Sequence, residues 1–256
     1  MALSPPFPPI RRVEYPSSDG LPMAESDFQR KPLTYAVEAL SLYFQERPEV
    51  YVSGNLFIYY EEGNPEAVVA PDVFVVFGAP KHDRATYQLW REPKAPDFVL
   101  EITSRSTRSK DQGPKRGTYA FLGVREYMQY DPTQDYLRPP LQGFRLAGEN
   151  YTPLPHVTLP EGTIVLYSEV LGLELRLDNG VLRFFAPTSG QYLLNYQEVE
   201  QARQAAEQAR QVAEQARQVA EIRARQEAVA REAAEARIAE LEARLRALQR
   251  QDGAEE

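Results

Sequence analysis

The sequence predicts a mixed α/β (α+β) domain followed by one long helix, and three features carry that prediction. Two apolar runs rich in Val, Phe, Leu and Ile, at 72–77 and 97–103, have the composition of strands buried on both faces. Stretches with apolar side chains at helical spacing lie before and after them, so strand and helix patterns alternate. From Gln197 the composition changes. The unit EQARQAA at 200–206 recurs almost unchanged at 207–213 and 214–220, and no Gly or Pro follows before Gly253.

Residues 1–32 are Pro-rich, as in Ser4-Pro5-Pro6-Phe7-Pro8-Pro9, and are expected to form an extended arm over the surface. From Leu33 to Glu46 the apolar positions Leu33, Ala36, Val37, Leu40 and Phe44 recur at helical spacing; Glu38 lies on this helix and Pro48 closes it. Val50 to Tyr60 reads as one strand with a bulge at Gly54, and 61–65 as the turn after it. Residues 78–95 carry Lys81, His82, Arg84, Arg91 and Lys94 around Trp90 and read as a surface loop. Beyond the strand at 97–103, Ser109 or Asp111 can cap a helix that runs to about Leu122 and ends at Gly123. Residues 126–130 form a further strand, stopped by Asp131-Pro132. Short strands then alternate with turns at 143–146, 151–154, 173–177 and 181–185, and Asp178-Asn179-Gly180 is a hairpin signal.

In the repeats, Ala202, Ala205, Ala209, Val212, Ala216 and Val219 fall at a/d spacing. The frame slips near Arg223 and resumes with Ala234, Ile238, Leu241, Leu245 and Leu248. Ala buries little surface, so a parallel homodimer would be held most firmly at the Leu-rich end. A lone solvated helix with Arg/Glu pairs at i,i+3 and i,i+4 is the other reading. The expected divisions are an arm at 1–32, a globular domain at 33–196, a coiled-coil helix at 197–250 and a disordered tail at 251–256.

Composition narrows the chemistry. The chain has no Cys and two His, which excludes thiolate metal sites and makes a His-based zinc site a poor fit. A bound metal would be held mostly by oxygen, which favours Mg²⁺ or Mn²⁺. No apolar run approaches the ~20 residues of a membrane span. The first residues do not pair a basic segment with an apolar core, so a cytoplasmic protein with no membrane partner is expected. The net charge of −8 argues against coating nucleic acid non-specifically. It leaves room for an enzyme with a local basic groove and a metal that supplies its own positive charge.

Glu101, inside the apolar run 97–103, is the residue to explain, because an ionised carboxylate in a core needs a partner or a metal. Asp72 stands at the mouth of the neighbouring run, where a turn could also place an Asp. Lys115 shares a helix face with Asp111, Tyr119 and Leu122, the last two expected to face the sheet. A Lys there is either the salt-bridge partner of a buried acid or a catalytic ammonium. Asp72 and Glu101 could hold a divalent metal with Lys115 beside them, which is the outline of a phosphodiesterase site. Glu38 could complete the metal shell through a water, or simply be exposed. Arg105, Arg108, Lys110 and Arg116 crowd the segment after Glu101 and would bind flanking phosphates.

With these residues in place, the chain resembles a cyanobacterial-type family of restriction-endonuclease-like proteins in the PD-(D/E)XK nuclease superfamily. The resemblance runs through Tyr15-Pro16-Ser17-Ser18-Asp19-Gly20, Ala70-Pro71-Asp72-Val73-Phe74-Val75, and Pro96-Asp97-Phe98-Val99-Leu100-Glu101-Ile102. It continues through Ser104-Arg105-Ser106-Thr107, Asp111, Lys115, Tyr119, Gly123-Val124-Arg125-Glu126-Tyr127, Tyr130-Asp131-Pro132 and 168–175. It implies a central mixed sheet flanked by helices, Asp72 and Glu101 as metal ligands, and Glu38 as an accessory acid. The superfamily pattern has a Lys two residues after the second acid, where this chain has Thr103; Lys115 would reach the same space from the helix. The expectation is therefore a Mg²⁺-dependent DNA endonuclease that dimerises through its coiled coil. The alternative is a catalytically inactive nuclease fold that acts as a scaffold through that coiled coil.

Overall fold

In the computed structural model, which describes residues 13–18, 26–103 and 113–252, the chain divides into two compact units, Met1–Tyr196 and Gln197–Glu256. The first contains α1 (Asp27–Tyr43), β1 (Val50–Ser53), β2 (Ile58–Tyr59), β3 (Val68–Val69), β4 (Val73–Phe77), β5 (Tyr87–Gln88) and β6 (Phe98–Ile102). After these come α2 (Pro114–Phe121), β7 (Glu126–Tyr130), β8 (Leu141–Ala147), β9 (Asn150–Pro153) and β10 (His156–Thr158). β11 (Ile164–Ser168), β12 (Leu173–Asp178), β13 (Val181–Ala186) and β14 (Gln191–Tyr192) complete it, and α3 (Tyr196–Asp252) follows. The mixed α/β class is the one the sequence predicts.

The main sheet has the order β1-β4-β6-β7-β8-β9. Its neighbours are antiparallel except β6 and β7, which are parallel and joined by the crossover containing α2. Strand alternation gives this sheet two apolar faces. Val73, Val75, Phe98, Leu100, Ile102 and Met128 face a core shared with Ala36, Ala39 and Leu40 of α1 and with Leu166, Leu175 and Phe184 of the five-stranded meander β10–β14. Phe74, Val76, Val99 and Tyr127 face a second core with Tyr119 of α2, Ile58 of β2 and Tyr87 of β5. Both faces are covered, which is why the central strands read as continuous apolar runs.

Three local expectations give way to tertiary structure. The helix expected from Leu33 begins at Asp27 and contains Pro32. The Ser26 carbonyl accepts from the N–H groups of Gln29 and Arg30, and Asp27 pairs with Arg30 at 2.7 Å, which favours a helix start there despite the proline. The strand expected over 50–60 is two strands in different sheets. Gly54 is the point of closest approach rather than a bulge, since a Cβ there would lie 2.4 Å from the Asp72 carbonyl oxygen and 2.8 Å from Val37 Cγ2. The chain turns at Asn55, whose φ is 50° and whose N–H donates to the Pro71 carbonyl. Finally, the supposed loop 78–95 contains β5, whose Tyr87 is fully buried, while Arg84 lies over the Tyr51 ring at 4.1 Å and pairs with Glu92 at 2.7 Å. Turn chemistry at 178–180 holds as expected, with Asn179 and Gly180 at positive φ.

The docked part of the N-terminal stretch is anchored by Tyr15, whose ring packs against Tyr59 and Trp90. Among the described residues no helix is long and apolar enough to cross a membrane. In the second unit, α3 leaves Val212, Val219, Ile222, Val229, Ile238 and Leu241 exposed, and pairs Arg203 with Glu200 and Arg225 with Glu221 along its surface. Residues 253–256 of the expected tail lie outside the described residues.

Because Gly54 touches the backbone that carries Asp72, Gly54→Ala should destabilise the fold by about 1–3 kcal/mol through overpacking. Thermal and urea unfolding of the variant will measure this; an unchanged midpoint would mean the contact relaxes freely.

Candidate active site

β4 and β6 are antiparallel, with Val73 opposite Leu100 and Phe74 opposite Val99. Continuing that register by one step sets Asp72 opposite Glu101, so the two acids start from the same face of the sheet. The face is the one covered by α2, because Glu101 alternates with Val99 of the second core. Like charges directly opposite each other on a sheet are destabilising unless something positive lies between or beside them.

The structure supplies one such partner. Lys115 Nζ donates to Glu101 Oε2 at 2.8 Å and to the Ala70 carbonyl at 3.3 Å. Glu101 is 1% exposed, whereas the Lys115 side chain keeps 22% exposure, so the ammonium stands at the edge of the site with the carboxylate behind it. Tyr119, one helical turn after Lys115, donates its hydroxyl to Glu101 Oε1 at 2.6 Å. Burial raises the Tyr119 phenol well above its usual pKa, and the Glu101 charge raises it further, so the hydroxyl stays a donor. Asp72 is held separately: its Oδ2 accepts from the Ile102 N–H at 2.6 Å, immediately after Glu101.

Local sequence explains each placement. Pro71 and the Asn55 contact fix the entry to β4, and Pro114 at the start of α2 suits a position with no backbone N–H to satisfy. Gly123, at a φ of 75°, ends α2 so that the chain can enter β7 beside β6. The row through Glu101 continues into Gln129 of β7 and Gln142 of β8, a polar line across otherwise apolar strands.

Lys115 and Glu101 thus meet at one end of β6, and Asp72 is bonded to the residue that follows Glu101. Glu38 does not join them by any contact described: its Oε2 accepts from the Tyr196 N–H at 3.4 Å. Arg116 is engaged in packing, with its guanidinium 4.1 Å above the Phe144 ring and Nη2 donating to the Tyr151 carbonyl at 3.1 Å. Arg105, Arg108, Lys110 and Asp111 lie outside the described residues. Tyr119 is both a core aromatic and a donor to Glu101, and its i+4 spacing from Lys115 is the sequence signal that both side chains reach the same acid. Among the described residues, no group of three or more His, Cys, Asp or Glu gathers as a metal centre.

Removing the phenol hydroxyl takes one hydrogen bond away from the buried Glu101 carboxylate. Tyr119→Phe should therefore lose about 1–3 kcal/mol of stability despite keeping the ring, read from urea unfolding. A variant as stable as the parent would deny the bond any weight.

The family model described as "Uma2: Putative restriction endonuclease" matches residues 2–178, a span that includes Asp72, Glu101 and Lys115. No curated protein matches the chain. Among solved structures, "a putative nuclease belonging to DUF820 from Anabaena variabilis ATCC 29413" aligns with 54% of this chain and 75% of its own length, at 14% identity and a TM-score of 0.38. The family match covers well over half of the 256 residues, and the chain belongs to the Uma2 family.

Proposed function

We propose that this protein is a metal-dependent nuclease that hydrolyses DNA phosphodiester bonds at the Asp72–Glu101–Lys115 cluster. The observation that carries the reading is the buried Glu101 carboxylate with the Lys115 ammonium at 2.8 Å, beside Asp72, which bonds the next residue along the strand, Ile102. Family membership supports it.

An oxygen-only donor pair fits a hard divalent cation such as Mg²⁺ or Mn²⁺. Asp72 and Glu101 would hold it, and the opposed negative charges of these two residues favour a cation between them. Such an ion would supply Lewis acidity for the hydrolysis. The protein's own contribution is preorganisation. The Ile102 N–H and the Tyr119 hydroxyl fix the two carboxylates, so neither has to reorient during the reaction. Lys115, partly exposed, presents an ammonium to the negative charge that develops on the phosphoryl oxygens. Arg105, Arg108 and Lys110 are the proposed contacts to flanking phosphates. Glu38 and Arg116 are left out of this set, because their charged groups meet Tyr196 and Tyr151 instead. The proposed setting is the cytoplasm.

A second reading, an inactive nuclease fold that works as a scaffold, draws on α3. Its exposed Val212, Val219, Ile238 and Leu241 form an apolar stripe suited to a second copy of the same helix, and we propose a parallel homodimer through it. The dimer is compatible with either reading.

Incubating plasmid DNA with the protein and Mg²⁺ should give cleavage that EDTA abolishes, and that falls at least a hundredfold in Glu101→Ala and Lys115→Ala. Cleavage that survives both substitutions would come from a contaminant, and none in the parent would favour the scaffold. Light scattering should give twice the chain mass for the full protein and a monomer after removal of residues 200–256. Equal monomeric masses would end the dimer proposal.

A further inference from the structure

Thr103 stands two residues beyond Glu101 and is 1% exposed, yet its hydroxyl has no hydrogen-bond partner among the described residues. Its backbone is held firmly. The Thr103 N–H donates to the Tyr130 carbonyl at 2.7 Å, and the preceding N–H, of Ile102, is held by Asp72. Thr103 directly follows the last residue of β6, and continuing the pleat of that strand gives the side chain its direction. Phe98, Leu100 and Ile102 belong to the core on the α1 side, whereas Val99 and Glu101 face α2, so Thr103 falls on the face of Glu101.

A buried hydroxyl without a partner forfeits its desolvation free energy, and a native structure that keeps one calls for a reason. Val has nearly the same shape and would fill this position without that penalty. A threonine that serves packing alone is therefore the less stable choice at this position. What the hydroxyl offers is one O–H donor, two residues along the strand from a carboxylate that a cation would neutralise.

We propose that the Thr103 hydroxyl is a substrate-positioning group, donating its hydrogen bond to a non-bridging phosphate oxygen of the strand held beside Glu101 and Lys115. This deepens the nuclease reading and rests on it. Lys115 meets the phosphate with charge; Thr103 adds a directional bond from the strand end, fixing how the phosphodiester is turned toward the two acids. Its hydroxyl is acceptable as an orphan in the free protein because the bond is made only in the complex.

The test separates stability from function. Thr103→Val removes the hydroxyl at constant shape, and Thr103→Ser keeps it while removing the methyl group. Three measurements are compared with the parent: the melting temperature, kcat and KM for Mg²⁺-dependent cleavage of a DNA duplex, and anisotropy of a fluorescein-labelled duplex with Ca²⁺ in place of Mg²⁺. The expected result is that Thr103→Val melts at or above the parent temperature while kcat/KM and duplex affinity each fall roughly tenfold to a hundredfold, the size expected for a bond to a charged acceptor. Thr103→Ser should retain cleavage and affinity within a few-fold. The proposal is overturned if Thr103→Val binds and cleaves like the parent. It is equally overturned if that variant melts well below the parent, since the hydroxyl would then have its partner within the fold. A parent protein that cleaves no nucleic acid at all would sink the nuclease reading itself, a different outcome from either.

Discussion

Burial of the Glu101 carboxylate is the constraint on which this domain turns. An isolated charge at 1% exposure within the sheet would be severely destabilising, and the fold meets it with an ammonium on one oxygen and a phenol on the other. Both donors come from α2, so the acid also dictates how that short helix lies. With eight residues and no side-chain cap, α2 gains little from helix propensity; its place is fixed by what Lys115, Tyr119 and Arg116 reach.

The same solution recurs at other buried acids and ties the layers together. Asp97, at the opposite end of β6, accepts from Lys94, Arg125 and the Phe77 N–H, which pins β6 to β4. Glu126 accepts from Arg145 at 2.8 Å, from Ser168 and from the Glu169 N–H, and so joins the main sheet to the meander. Asp131 is fully buried beneath the loop that follows β7. Burial pushes its pKa up, but N–H groups of Tyr136, Leu137 and Thr133 outweigh that and hold the carboxyl below the ordinary aspartate value. In each of these three cases the acid is saturated by the fold. Glu101 differs in that a second carboxylate, Asp72, bonds the residue next to it, and that neighbourhood makes a structural ion pair a candidate centre for a cation.

The two units follow different physics. The globular unit is held by two apolar cores and buried polar anchors, whereas α3 carries surface ion pairs and a stripe of exposed Val, Ile and Leu. Exposed i,i+3 and i,i+4 pairs contribute little each, but a helix of 57 residues carries many good helix formers. Its apolar stripe is where association would add stability that the isolated helix lacks.

Much of this was legible in the linear chain. The apolar runs around β4 and β6 announced a sheet covered on both faces, the Asn179-Gly180 turn announced a hairpin, and the seven-residue repeat announced the long helix. The contact of Lys115 with Glu101 follows from the linear chain, because a charge inside an apolar run needs a partner and helical spacing puts the Lys on the sheet-facing side. What the chain could not disclose were contacts between residues far apart in order. Gly54 read as a bulge because its conflict with the Asp72 carbonyl exists only once β1 and β4 pair. The bond from the buried Tyr119 to Glu101, the stacking of Arg116 on Phe144 and the contact of Glu38 with the Tyr196 N–H are likewise set by packing, because side-chain type constrains chemistry but not direction or neighbours. Sequence periodicity fixes which face a side chain takes along its own element; only the assembled layers decide what waits on that face.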